Sequence, residues 1–173
     1  MISLTDDDFA LMGLPKRFEL DLQVLDARWK DLQRQTHPDR HAAHGSAAQR
    51  VAMQWSVRVN EAHQRLRDPV RRAAYLCELA GAPIQAERNT AMPSEFLMQQ
   101  MAWREALEDA QSSDAVQDLL DQVLQTRREG LQRLGDLLDA QGDAQSASGV
   151  VRALMFTEKF VSDVQDRLDR LET

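Results

Sequence analysis

Apolar residues recur three and four positions apart along nearly every long segment of the chain, while alternating, strand-like runs are almost absent. That period belongs to an α-helix buried along one stripe. Leu22, Leu25, Trp29 and Leu32 follow it in a segment expected to run from about Asp21 to Gln35, and Val51, Trp55, Val59, Ala62 and Leu66 follow it from about Ser46 to Arg67. The breaks are legible too. Gly13 and Pro15 close a short apolar segment over residues 9–13. Pro38 disfavours helical geometry at His37 and so ends the first long helix. Asp68-Pro69 ends the second, and Pro69 suits the first turn of a further helix through Leu79, closed by Gly81. The expected fold class is all-α.

Residues 81–93 lose the period and carry Pro83 and Pro93, which marks a candidate linker. After it, three amphipathic segments are expected over about 94–110, 113–140 and 147–172, joined by short breaks at Ser112-Ser113 and from Gly142 to Ser148. Short connections make antiparallel neighbours. The expected organisation is a helical hairpin over 1–80, a linker over 81–93 and a three-helix bundle over 94–173.

Composition narrows the function classes. With 43% apolar and 28% charged residues the chain is globular in type, and no window approaches twenty uninterrupted apolar residues, so no membrane partner is expected. Met1 to Asp8 is acidic where a secretory signal needs basic residues, so a cytoplasmic location is expected. Residues 1–80 hold 12 Lys/Arg against 11 Asp/Glu, and residues 81–173 hold 9 against 17, balances of +1 and −8 within the net −7. An acidic C-terminal half argues against a nucleic-acid partner and for one that is basic where it docks. Cys77 is the single cysteine, which leaves no disulfide, zinc or redox motif and suggests a buried thiol.

The segment Asp31 to Arg40 carries the most information. His37-Pro38-Asp39 ends a basic amphipathic helix, opens a short loop and precedes a second helix of matching length. Lys30 and Arg34 stand four apart, away from the Leu25/Trp29/Leu32 stripe, and Arg28 and Arg40 extend the basic face. His37, His41 and His44 have spacings that could suit a metal in a helical loop, but Pro38 interrupts regularity and the flanking Ala42, Ala43 and Gly45 supply no supporting shell; solvated histidines and no metal are expected. This region resembles the J-domain of the DnaJ superfamily. Val59 to Leu66 is similar to that family's third-helix signature, with His63 where a Tyr is usual, a change expected to weaken one packing contact. Asp68-Pro69 and Arg72 to Tyr75 resemble its closing segment. The resemblance implies that His37, Pro38 and Asp39, with Lys30, Arg34, Arg28 and Arg40, engage the ATPase domain of a DnaK-type chaperone and trigger hydrolysis.

On the helix from Ser94, Trp103 and Leu107 fall within about 20° of Phe96, whereas Leu97, Met98 and Met101 fall about 100° to 200° away, on the arc shared by Glu105, Glu108 and Asp109. One stripe serves a core, and the other suits a protein-binding patch with an acidic border or, alternatively, a second face covered within a compact bundle. In the last helix Val150, Leu154, Val161, Val164, Leu168 and Leu171 form one stripe, with Phe156 and Phe160 pointing nearly the other way. Essentially the whole chain resembles the HscB family of co-chaperones in iron–sulfur cluster biogenesis, most closely over Phe96 to Glu105. The resemblance implies that Leu97, Met98, Met101, Glu105, Asp109 and Phe156 contact the cluster scaffold IscU, that HscA is the chaperone partner, and that no cofactor is needed. The family commonly has an acid where Ala102 stands, so one charge contact is missing. An enzyme would need more than Glu105 and Glu108, since neither a phosphate-binding loop nor a nucleophile–base pair accompanies them; no catalysis is expected.

Overall fold

In the computed structural model, which describes residues 1–85 and 92–173, helices form where the apolar period places them. Helix α1 (Asp8–Met12) is capped by Asp7, whose carboxylate accepts the Ala10 N–H, and is closed by Gly13 in the left-handed region at φ 64°. Helix α2 (Leu22–Thr36) starts beneath Asp21, which accepts the N–H groups of Gln23 and Val24. A 3₁₀ turn over Pro38–His44 leads into α3 (Ser46–Arg67). Asp68 then caps α4 (Pro69–Leu79) by accepting the N–H groups of Val70 and Arg71. Helices α5 (Ser94–Asp109), α6 (Ser113–Gly135) and α7 (Ala144–Glu172) complete the order, with a π turn over Asp136–Ala140 extending α6. There is no strand among the described residues.

Two compact units divide between Leu76 and Cys77, inside α4. The expected boundary lay four residues later. The reason is that the chain after Leu76 already belongs to the second unit's packing. The Cys77 thiol lies 3.6 Å from the Ala144 carbonyl, Ala82 and Ile84 are buried, and Arg152 donates to the Ile84 carbonyl at 3.1 Å. Within the expected linker Ala82 and Ile84 are thus packed, and residues 86–91 lie outside the described residues. Burial pushes the Cys77 thiol up to about 11, so it stays protonated and inert at neutral pH.

In the first unit α2 and α3 pair as a hairpin and α1 packs on α3. Phe9, Leu11, Met12, Leu25, Val59, Ala62 and Leu66 are buried, but Leu25 is the only α2 residue so enclosed. Polar contacts supplement this thin core. Asp8 is wholly buried, its carboxylate 2.8 Å from Arg58 and 3.0 Å from Arg65, while its N–H donates to the Tyr75 hydroxyl. Arg65 in turn lies over the Tyr75 ring, and Phe9 stacks on it. Two residues of the expected stripes are exposed. Leu22 is the first residue of α2, and Val51, in the second turn of α3, faces an open depression beside Leu32, Thr36 and Trp55.

In the second unit Trp103, Val116, Leu119, Leu120, Val123, Phe160 and Val164 form one apolar cluster, with Leu107, Val161 and Leu168 packed around it. Helices α6 and α7 approach closely at Gly130, where a Cβ would stand 2.8 Å from a Leu154 methyl. Phe160 departs from expectation. It is buried and stacks on Trp103 at 5.7 Å, because α7 must satisfy α5 as well as α6 and so buries a wider arc than one stripe. Helix α7 also starts three residues earlier than expected. The Asp143 side chain accepts the Ser146 N–H, and this capping by Ser146 holds the carboxyl below its usual range.

Candidate functional site

The first candidate surface surrounds the C-terminus of α2. A helix end leaves carbonyls without partners, and here the following turn supplies them: Arg40 donates to the Arg34 carbonyl at 3.1 Å, and a His41 ring nitrogen lies 3.2 Å from the Gln35 carbonyl. His41 is therefore a capping group, which corrects the expectation of a merely solvated side chain. The expected loop is also more regular than Pro38 suggested. Pro at the first helical position suits a 3₁₀ start, and His37 Nδ1 accepts the Asp39 N–H at 3.2 Å. This local bond holds the His37 and Asp39 side chains in one turn while leaving both exposed, 58% for His37 and 92% for Asp39.

His37, Asp39, Arg40, Lys30, Arg34 and Gln33 line a single open concavity of about 730 Å³. Pro38 sets the turn between its lining residues. Arg34 also pairs with Asp31 along the helix, so part of its charge is balanced locally. Arg28 does not line the concavity; its guanidinium lies beside Gly13.

The α2–α3 seam supporting this surface is polar. Asn60 Oδ1 accepts from Trp29 Nε1 at 2.9 Å and from Gln33 Nε2 at 2.7 Å. His63 stacks on Trp29 with ring centroids 4.2 Å apart and bonds Asp26 at 2.8 Å, and Arg67 reaches the same carboxylate at 2.7 Å. The His63 hydrogen bond and the Arg67 charge hold the Asp26 carboxyl below its usual range. His63 thus gains a stacked and ion-linked role in place of the weakened contact expected from its divergence. Gln33 and Asn60 carry no charge and fall off the apolar stripe, so periodicity and charge patterning passed over them. Their only signal is spacing, since Gln33 stands three after Lys30 and four after Trp29.

The second candidate surface lies on α5. Trp103 is buried, whereas Leu97, Met98 and Met101 are 48%, 69% and 65% exposed. Glu105 and Asp109 continue that exposed arc toward the helix C-terminus, with Ala102 between them and the apolar group. On α7, Phe156 is 41% exposed one turn before the Trp103–Phe160 stack. Apolar side chains of this size left in water beside carboxylates form an unpartnered patch with a polar rim.

Comparison with known proteins places the chain in a family. A family model described as the HSCB C-terminal oligomerisation domain matches residues 92–165. The chain is 51% identical to the co-chaperone protein HscB homolog of Burkholderia multivorans and 50% identical to that of Burkholderia cenocepacia, covering all of both chains in each case. The chain belongs to the HscB family of co-chaperones. Its fold is similar to chaperone HscB from Vibrio cholerae, with a TM-score of 0.83 and 34% identity over 96% of this chain and 99% of that one. It also matches human co-chaperone HscB with a TM-score of 0.91 at 24% identity, over 99% of this chain and 86% of that one, a likeness of fold alone. The J-domain hairpin and three-helix bundle are thus the architecture of this HscB-family chain. No helix among the described residues is long and apolar enough to cross a membrane.

Proposed function

We propose that this co-chaperone is a cytoplasmic two-site adaptor in iron–sulfur protein maturation. The first unit engages the ATPase domain of an HscA- or DnaK-type chaperone through His37, Pro38 and Asp39, with Lys30, Arg34 and Arg40 meeting an acidic surface. Arg28 extends the same charge from outside the concavity. The bundle holds an IscU-type scaffold through Leu97, Met98, Met101 and Phe156, with Glu105 and Asp109 pairing basic residues at the rim. The chain itself performs no chemistry and needs no cofactor. Its effect comes from bringing trigger and client to the chaperone together, which raises the effective concentration of each.

The observation that carries this reading is the split character of α5. One face is buried through Trp103 while the apolar side chains of Leu97, Met98 and Met101, over two successive turns, stay in water beside an acidic arc. A core explains the first face, and a dedicated protein client explains the second. Titration of the purified chain with an IscU-type scaffold by calorimetry is the test. Saturable binding that Leu97→Ala with Phe156→Ala weakens at least tenfold supports the client assignment. Binding unchanged by the double substitution rejects the face.

A further inference from the structure

The concavity around the His37 turn has an uncharged member, Gln33, whose orientation is set from the neighbouring helix. An indole N–H can only donate. Trp29 Nε1 lies 2.9 Å from the Asn60 side-chain amide, so Asn60 must turn its oxygen, Oδ1, toward the indole. That same oxygen lies 2.7 Å from the Gln33 amide, which must therefore present its NH₂ group to Asn60. The amide orientations, usually assigned by choice among near-equivalent atoms, are fixed here by a chain that begins at a donor-only ring. One consequence follows for the surface: Gln33 Oε1 has no partner within the described protein and is the group left for an outside donor. Gln33 lines the concavity together with Lys30, Arg34 and Arg40.

We propose that Gln33 is a recognition residue and Asn60 its positioning residue, so that the concavity reads a mixed surface. The cations take carboxylates, and the Gln33 carbonyl takes an N–H or O–H placed among those carboxylates. A purely acidic patch would satisfy Lys30, Arg34 and Arg40 but would leave the Gln33 carbonyl facing like charge. The surface thereby discriminates among acidic partners, since a mispaired acceptor is penalised as well as unrewarded. Asn60 acts through Gln33 and need not touch the partner. Trp29 and its stacked neighbour His63 hold the start of the chain.

The inference rests on the chaperone-engaging reading of the His37 turn, and the experiment separates the two. The full chain and its variants are titrated into an HscA-type chaperone from the same organism, and the concentration giving half-maximal ATPase stimulation is measured. Gln33→Ala is expected to raise that concentration by about three- to tenfold, the range of one uncharged hydrogen bond. Asn60→Ala is expected to do the same alone and to add nothing in the Gln33→Ala background, while Asn60→Asp, which keeps an oxygen for both donors, restores half-activation to within about twofold. An unchanged value for Gln33→Ala overturns the assignment of Gln33. A loss from Asn60→Ala that persists undiminished in the Gln33→Ala background overturns the positioning role, since a structural defect would not depend on Gln33. His37→Gln is the control on the reading beneath. If it abolishes stimulation while Gln33→Ala changes nothing, only the present inference fails; if the parent chain does not stimulate, both fail. Should Asn60→Ala not fold, Gln33→Ala and Asn60→Asp still decide between the outcomes.

Discussion

The two units solve the same problem of holding helices together by different means. In the bundle, α5, α6 and α7 meet through Trp103, Val116, Leu120, Val123, Phe160 and Val164, and the inter-helix ion pair of Arg127 with Glu158 at 3.0 Å is about a third exposed. In the hairpin, α2 buries Leu25 and relies on Asp26, Trp29 and Gln33 meeting His63, Arg67 and Asn60, while α1 is tied down by a buried Asp8 between two arginines. A hydrophobic core is non-directional, so it leaves the outer faces free for large apolar side chains such as Met98 and Met101. A polar seam is directional, and it fixes the angular positions of Asp26, Trp29 and Gln33 on α2. The bundle suits display of an adaptable apolar patch, and the hairpin suits presentation of a few polar groups at set positions.

That contrast can be broken by substitution. The largest effect should come from Phe160→Ala, which opens a cavity beside Trp103 and is expected to destabilise the second unit by about 4 kcal/mol; hydrogen exchange, which reads each unit separately, should show the loss in α5–α7. Asp8→Ala leaves Arg58 and Arg65 facing a buried void and is expected to cost the first unit about 3 kcal/mol, the usual result of removing one partner from a buried ion pair. If Asp8→Ala is neutral by denaturant unfolding, the polar account of the hairpin is wrong.

A smaller effect tests the seam itself. His63 and Arg67 lower the Asp26 carboxyl in the folded state, so Asp26 contributes stability above its ordinary value of 3.8, and that contribution is lost as pH falls through the lowered folded value. Asp26→Asn should remove the contribution at neutral pH and flatten the acid limb of the first unit's unfolding midpoint below about pH 4. An acid limb with the same slope as the parent chain would show that the seam carries no charge linkage. The smallest effect is expected from Arg127→Ala in the bundle, about 0.5 to 1 kcal/mol by urea midpoint, because a single ion pair still about a third open to water adds little.

How much of this was legible beforehand follows the same division. The period of the apolar residues placed α2, α3, α4 and α5 to within a residue or two, and the exposed face of α5 was readable from its helical angle because Leu97, Met98 and Met101 are too large and too numerous for one stripe. The His37 turn was readable from its setting between two matched helices. What periodicity could not reach was anything decided by a second helix. Phe160 is buried because α5 lies against it, Val51 faces an open depression beside Leu32 and Thr36, and His41 caps a carbonyl six residues back. Asn60 and Gln33 were invisible for the same reason, since an uncharged hydrogen bond across a seam leaves no trace in hydropathy or charge.

The central claim is that trigger and client sites are separate properties of the two units. The most direct measurement is the ATPase rate of an HscA-type chaperone with and without an IscU-type scaffold, using three proteins: the parent chain, His37→Gln, and Leu97→Ala with Phe156→Ala. The account predicts a synergistic rate rise for the parent. His37→Gln should lose stimulation under both conditions while still binding scaffold. The bundle variant should keep basal stimulation and lose only the synergy. Loss of scaffold binding in His37→Gln, or full synergy in the bundle variant, would contradict it.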